Sequence, residues 1–240
     1  VAVEVPDIAS AYRSRMKVAD LSSKKEIAIF ENAKNDLEEA GLTLKNSMDI
    51  LEVSMETPSL DDTMPDNERL VRAIKKVTGA SKVRLPFQVL TKIARVFRES
   101  DFEVRCVIRT SDDGDIFVYD VYPKSEDVVI GGLAIDIGTT TVSALLINML
   151  TGEIIGKASA GNGQIRYGAD VINRIIESMK PGGSEKLQKA VIDETINPLI
   201  QQMCRANGFK PEHIYRMSIA ANTTMNHLMA GMEGDPIRME

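Results

Sequence analysis

A glycine turn between two apolar segments constrains the fold of this chain more than any other feature. The segment spans residues 131–147 and reads GGLAIDIGTTTVSALLI. The apolar residues on each side predict two buried strands, and Gly138 predicts the turn that joins them as a hairpin. Because a strand and not a helix follows the glycine, the segment is neither a P-loop nor a dinucleotide-binding fingerprint.

The residues of this turn suit a polyanion that is bound together with a metal ion. A carboxylate can hold Mg²⁺ or its water, so Asp136 is the candidate metal ligand and catalytic residue. Threonine hydroxyls and turn N–H groups can donate to phosphate oxygens, and glycine lets the backbone approach closely. The candidate binding residues are therefore Gly138, Thr139, Thr140 and Thr141. Two plainer interpretations stay open: Asp136 caps its own turn, and the threonines serve only as strand formers.

Two later segments carry further polar motifs. One spans residues 162–175 and reads NGQIRYGADVINRI, and the other spans residues 220–231 and reads AANTTMNHLMAG. In the second, Asn222 and Thr223 follow a predicted strand and open a predicted helix, where free N–H groups favour an anion. They are candidate cofactor-binding residues, and the alternative is that they only cap the helix.

The hairpin resembles the first phosphate motif of the actin, Hsp70 and sugar-kinase superfamily. Together with the two later segments, it is similar to the ATP-binding domain of the reductive activators of corrinoid enzymes. The resemblance implies ATP and Mg²⁺ as cofactors, with Asp136 positioning the metal and with Thr139 and Thr140 facing the β- and γ-phosphates. Gly163 stands where that family usually has proline, and a glycine should loosen the loop.

The same resemblance implies a function for the full-length protein. Its members are iron–sulfur proteins that use ATP to reduce Co(II) to Co(I) on a corrinoid methyl-transfer protein. The iron–sulfur cluster is expected outside this chain, because Cys106 and Cys204 lie far apart and a cluster generally needs four thiolates. The chain alone is expected to be inactive. Whether the full-length protein forms a homodimer is left open. The alternatives are a small-molecule kinase of the same superfamily and a non-catalytic docking fragment.

Composition excludes other classes of function. A net charge of −6 argues against a general nucleic-acid binder, which needs clustered Lys and Arg. No apolar run approaches the roughly 18 residues of a membrane span, and no signal peptide is found. Two free cysteines are typical of the reducing cytosol, so a cytoplasmic location is expected. The chain begins at Val1 and is interpreted as an internal piece of a longer protein.

Hydrophobic periodicity predicts three regions with an α/β and α+β fold. Residues 1–45 should form a linker and an amphipathic helix, which runs from a capping box at Ser23 to Ala40. Residues 46–127 should form a small α+β middle domain with the order β-α-α-β-β. Residues 128–240 should have the order β-β-β-α-α-β-α, and the resemblance implies that they form the first part of an actin/Hsp70-like, ribonuclease H-like ATPase domain.

Several local signals make these elements specific. Asp66 and Ser184 are each expected to cap a helix, and Pro198 predicts a kink or restart at Asn197. A further helix begins near Ala169, and its apolar positions are Val171, Ile172, Ile175 and Ile176.

The two histidines are weaker candidates for chemistry. His213 lies at a strand start and is expected to be exposed, whereas His227 should be half-buried as a packed or capping residue. No Ser-His-Asp or Cys-His arrangement is apparent.

Overall fold

The computed structural model describes residues 48–238 continuously, the strand β1 (Lys17–Ala19), and positions 32, 35, 36 and 39–41. Apart from those few positions, the predicted helix between Ser23 and Ala40, with its capping box, lies outside the described residues. The chain divides into two compact units. Among the described residues, the small unit comprises 48–130 and 149–151 with positions 39–41, and the hairpin unit comprises β1, 131–148 and 152–238 with positions 32, 35 and 36.

The small unit is a four-stranded sheet with two helices. Its elements are β2 (Met48–Ser54), α1 (Asp66–Thr78), β3 (Val83–Arg84), α2 (Phe87–Glu99), β4 (Glu103–Thr110) and β5 (Ile116–Pro123). The strand order is β2-β4-β5-β3; β3 is parallel to β5 and the other neighbours are antiparallel. The predicted β-α-α-β-β order lacked β3, because two residues are too few for an alternating pattern to be recognised.

The interior of the small unit follows the alternation predicted along β4. Val104, Cys106 and Ile108 point into this core, where one face of each helix packs against the sheet, and Val107 is buried as well but lies outside this core. This core contains Leu70, Ile74, Val89, Ile93, Phe97, Phe102, Val104, Cys106 and Ile108. Burial of such side chains supplies most of the free energy that holds the sheet and its helices together.

The start of α1 differs from the prediction. Pro65, with extended backbone, occupies the cap position, and Asp66 is the first helical residue without a side-chain capping bond. Its carboxylate instead accepts a hydrogen bond from Arg98 at 2.7 Å, so the predicted cap at Asp66 is wrong. The helix ends as predicted at Gly79, whose φ of 71° suits a left-handed cap.

The hairpin unit is a mixed five-stranded sheet with helices. Its strands are β6 (Gly131–Ile137), β7 (Thr141–Asn148), β8 (Ile154–Gly161) and β9 (Ile214–Ala221), together with β1. Its helices are α3 (Val171–Ser178), α4 (Gly183–Val191), α5 (Asn197–Ala206), α6 (Thr223–Met229) and α7 (Asp235–Arg238). The order is β1-β8-β7-β6-β9, in which β9 alone is parallel to its neighbour. The predicted hairpin of β6 and β7 and the mixed α/β fold are confirmed, whereas β1 was not predicted.

Helices α4 and α5 cover the inward face of this sheet. A π-helical turn, Ile192–Ile196, separates them, and α5 restarts at Asn197 as predicted from Pro198. Ser184 does not cap α4: Gly182 holds that position, and the Ser184 hydroxyl donates to the carbonyl of Ser178. The core includes Leu133, Ile135, Ile137, Val142, Leu146, Leu187, Leu199 and Met203.

The buried face of α3 is not its most apolar one. Arg174, Ile175 and Ser178 point inward, while Ile172 is 51% exposed and Ile176 is 42% exposed. Asp170 caps the helix by accepting a hydrogen bond from the N–H of Asn173.

Within the described ranges, no helix combines the length and the apolar character needed to cross a bilayer.

Candidate functional site

The topology brings two predicted site segments to one edge of the sheet. Strands β6 and β9 are parallel, and Ile137 near the end of one pairs in register with Ala221 of the other. The turn after β6 and the segment before α6 therefore start side by side. Their side chains also approach each other, because Asn222 Nδ2 lies 3.4 Å from Thr139 Oγ1.

Asp136 presents its carboxylate on the face of β6 opposite to the core. Its neighbours in the strand, Ile135 and Ile137, are buried, whereas Asp136 is exposed. Across the ladders it pairs with Ser143 and with Ala220. In the part of the chain that the structure describes, this carboxylate makes no hydrogen bond or ion pair, so the alternative that Asp136 caps its own turn is not supported. Its oxygens remain available to a ligand.

Gly138 closes the hairpin by a tight approach within the turn itself. Its N–H donates to the carbonyl of Thr141 at 2.9 Å, and a Cβ at Gly138 would lie 2.7 Å from the same oxygen. Thr139 is half-buried, Thr140 is exposed, and Thr141 begins β7 opposite Gly161. The glycine is thus required by the turn before any ligand is considered.

Three consecutive carbonyl oxygens of the turn are held from behind. Asn162 Nδ2 donates to the oxygen of Gly138 at 2.9 Å, and the Asn162 N–H donates to that of Thr140 at 2.8 Å. Arg174 Nη2 donates to the oxygen of Thr139 at 2.6 Å. In a planar trans peptide the N–H is opposite to the carbonyl, so the N–H groups that follow these carbonyls face the other way. Backbone N–H groups presented together form an anion-binding concavity.

The loop that supplies these donors is tightly built. Asn162 Oδ1 accepts from the N–H of Gln164 at 3.0 Å, and Gln164 Nε2 donates to the carbonyl of Leu187 at 2.9 Å. The N–H of Gly163 donates to Thr195 Oγ1 at 3.0 Å, and a Cβ on Gly163 would lie 2.7 Å from the carbonyl oxygen of Ala190. The expectation that Gly163 loosens this loop is therefore wrong: the position provides a hydrogen bond that proline cannot make.

The buried polar residues behind the turn were not predicted as site residues from the sequence. Asn162, Gln164 and Arg174 are all almost completely buried. One signal was available, because Arg174 and Ser178 share the spacing of a helix face with Val171 and Ile175. A charged residue on an inward helix face needs polar partners, which points to a hydrogen-bonded network behind the turn.

The segment after β9 both caps helix α6 and contacts the turn. Asn222 Oδ1 accepts from the N–H of Met225 at 2.9 Å, which is the capping role, while its Nδ2 reaches Thr139. Thr223 is the first residue of α6 and is exposed, and its carbonyl oxygen lies 2.9 Å from His227 Nδ1. His227 is half-buried as predicted.

The remaining histidine and both cysteines are buried. His213 is buried and meets Phe209 edge-on, so its predicted exposure is wrong. Burial raises the pKa of the Cys106 thiol to about 12, with a smaller contribution from the charge of Asp120. Cys204 is also buried, and burial raises the pKa of its thiol.

The described residues fit one implied cofactor and not the other. They contain no group of three or more His, Cys, Asp and Glu side chains that could hold a metal ion, and both cysteines are buried, so they do not fit an iron–sulfur cluster. The turn fits a nucleotide with Mg²⁺, since Asp136 offers the hard oxygen ligand that this ion prefers. Outward N–H groups beside it suit the phosphates.

Comparison with known proteins assigns both units. Residues 37–127 match the family model described as the RACo linker region, and residues 131–240 match the RACo middle region. The chain is therefore a RACo-type fragment, in which a linker region is followed by a middle region. In the family's terms, the small α+β unit, which the sequence analysis calls the middle domain, is the linker region. The hairpin unit is the middle region.

Two relatives illustrate the similarity. The corrinoid activation enzyme RamQ of Eubacterium limosum is 34% identical over 113 residues, which make up 46% of this chain and 19% of that protein. A solved structure of a reductive activator for a corrinoid, iron–sulfur protein superimposes with a TM-score of 0.67 at 32% identity. That match covers 82% of this chain and 31% of the other, so the chain spans a minor part of both relatives.

Proposed function

We propose that the protein carrying this chain performs ATP-dependent reductive activation of a corrinoid methyl-transfer protein, taking Co(II) to Co(I). The observation that carries the proposal is the hairpin turn, whose carbonyl oxygens are bound from behind, while the carboxylate of Asp136 beside it has no partner among the described residues. The names of the related proteins support the corrinoid as the object of activation.

In this proposal the hairpin unit binds the phosphates. The N–H groups of the turn and the hydroxyls of Thr139 and Thr140 donate to phosphate oxygens. Asp136 holds Mg²⁺ directly or through water, and the bound ion neutralises phosphate charge and orients the nucleotide. Asn222 caps α6 and touches Thr139, so a ligand at Thr139 also acts on the start of that helix.

Coupling of ATP to electron transfer requires two conformers. The nucleotide must bind one conformer more tightly than the other, because a ligand with equal affinity for both does not change the equilibrium between them. The electrons would come from an iron–sulfur domain outside the described residues, which do not fit a cluster. The partner is then a corrinoid protein in the cytosol, and a homodimer is compatible with this arrangement.

The test combines the full-length protein with a cob(II)alamin-loaded corrinoid protein, a reductant and Mg²⁺. Visible spectra record Co(I) with and without ATP. Co(I) that forms only with ATP supports the proposal. ATP hydrolysis or phosphoryl transfer that ignores the corrinoid protein would overturn it in favour of a kinase of the same superfamily. Absence of both nucleotide binding and Co(I) would leave the chain as a docking module.

A further inference from the structure

Arg174 places a guanidinium in the interior of the hairpin unit. Its side chain is 0% exposed and has the largest volume among the fully buried side chains of the described residues. Transfer of a cation from water to a protein interior costs several kcal/mol unless partners compensate it. The contacts of Arg174 therefore explain what holds it there.

The partners of Arg174 are neutral acceptors. Its Nε donates to the carbonyl of Gly168 at 2.9 Å, and its Nη2 donates to that of Thr139 at 2.6 Å. Its Nη1 lies 3.4 Å from Gln164 Oε1 and 3.3 Å from Met225 Sδ. The guanidinium thus connects α3 to the turn at Thr139, to the loop that precedes α3 and to α6.

No carboxylate neutralises this charge by direct contact. The ion pairs among the described residues do not include Arg174. Asp170 raises the pKa of Arg174 only from a distance, and its two oxygens already accept from Asn173 at 2.8 and 2.7 Å. Burial lowers the pKa of Arg174 to about 10, which leaves the guanidinium protonated at neutral pH. One positive charge therefore lies directly behind the turn.

A merely structural role does not require such a charge. The carbonyls that Arg174 binds need hydrogen-bond donors, and a neutral amide such as that of glutamine supplies donors without the cost of burying a cation. The charge instead lies where it would act on an anion. Water screens it poorly because it is buried, and its attraction grows with the number of charges on the ligand.

We propose that Arg174 is a positioning residue of the phosphate turn, which fixes the Thr139 carbonyl inward and biases the turn toward the more highly charged nucleotide. The inference rests on the proposed function of the turn as a phosphate site. It predicts that Arg174 contributes to discrimination between ATP and ADP without touching either nucleotide.

The test uses the full-length protein and three variants: Arg174→Lys, Arg174→Met and the matched control Arg205→Met. Arg205 is an exposed helical arginine of α5 in the same unit. Calorimetry gives Kd for Mg²⁺-ATP and Mg²⁺-ADP. Hydrogen exchange of a peptide covering residues 137–142 reports on the turn, and thermal unfolding checks the fold. If Arg174→Met does not fold, Arg174→Gln replaces it, because glutamine keeps hydrogen-bonding ability without charge.

The expected pattern separates charge from shape. Arg174→Met should weaken ATP binding by about 10- to 100-fold, because it removes a poorly screened positive charge behind the phosphates and the bond that positions the turn. ADP binding should weaken less, so the preference for ATP falls. Arg174→Lys should keep the preference but bind both nucleotides more weakly, since it keeps the charge and loses the fork. Exchange in the turn should accelerate in both variants and not in Arg205→Met.

Two outcomes would overturn the proposal. Equal loss of ATP and ADP affinity in Arg174→Met would refute the bias, and unchanged exchange in the turn would refute the positioning role. Failure of the proposed function is distinguishable. If the unsubstituted protein binds neither nucleotide, the phosphate site and the bias are both refuted, and the exchange data still decide whether Arg174 positions the turn.

Discussion

Asn162 Nδ2 donates to the carbonyl oxygen of Gly138 at 2.9 Å, and so joins two residues 24 positions apart in the chain. The backbone N–H of Asn162 also bonds the turn, at Thr140. The asparagine therefore holds the turn at two points from within the core, where it is 1% exposed. Its side chain supports the geometry on which the proposed phosphate site depends.

Substitution of Asn162 by alanine should loosen the turn. It leaves the carbonyl of Gly138 and the N–H of Gln164 without their partner, at a cost of about 1–3 kcal/mol for each buried group. Native-state hydrogen exchange of β6 and β7 measures this loss. The control is Asn173→Ala, because Asn173 is exposed and, among the described residues, its side chain bonds to Asp170 alone. Equal protection in both variants would contradict the role given to Asn162.

Asp136→Asn should remove ATP hydrolysis and leave the fold intact. The exposed carboxylate has no partner in the described residues, so stability should change by no more than about 0.5 kcal/mol. An amide cannot supply the negative oxygen that Mg²⁺ prefers, and the Mg²⁺ dependence of nucleotide binding should weaken with it. The matched control is Asp193→Asn, an exposed aspartate of the same unit. Unchanged turnover in Asp136→Asn would exclude the metal role.

Gly163→Pro should destabilise the loop behind the turn. Proline removes the N–H that donates to Thr195 and adds a Cβ close to the carbonyl of Ala190. Gly163→Ala adds the Cβ alone, and overpacking of this kind costs about 1–3 kcal/mol. Denaturant unfolding gives the free energy of unfolding of both variants, and the additional decrease in Gly163→Pro measures the hydrogen bond to Thr195. In a Thr195→Val background the two variants should be equally stable if that bond is the cause.

The sequence predicted the elements of the site better than the network that supports them. The hairpin, the turn at Gly138 and the helix after Asn222 follow from alternation, a glycine and a capping residue, all of which are local signals. They were found because neighbouring residues along the chain determine them.

The missed features depend on residues distant in sequence. Arg174 faces inward because carbonyls of the turn and of Gly168 accept from it, and those partners override the apolar pattern that includes Ile172. His213 is buried where the chain meets β6, because a Cβ added at Gly131 would lie only 3.0 Å from the His213 carbonyl oxygen. In each case tertiary partners decided the environment, and no local pattern of residue types records them.

The small unit should lose stability in acid through Asp62. The carboxylate of Asp62 accepts a hydrogen bond from the N–H of Met64 and forms an ion pair with Arg69, whose Nη2 lies 2.7 Å from Asp62 Oδ2. The bond from Met64, and after it the bond from Arg69, lower the pKa of Asp62 below its usual value. A lowered pKa in the folded state means that the carboxylate stabilises the fold above its ordinary pKa. That contribution disappears as the pH falls through the lowered value. Asp62→Asn should therefore lower the unfolding temperature at neutral pH and match the unsubstituted protein in strong acid. Asp61→Asn, at the exposed neighbouring position, should behave like the unsubstituted protein throughout.

Cys106 should be inert to thiol reagents while the small unit is folded. It is completely buried, and its pKa of about 12 leaves only about one thiol in ten thousand ionised at pH 8. Labelling with iodoacetamide, followed by peptide mass spectrometry, should therefore modify Cys106 only as denaturant unfolds the unit. Leu60→Cys gives the positive control, because Leu60 is fully exposed. Rapid modification of Cys106 in native buffer would show that β4 opens readily, and would contradict the packing of this core.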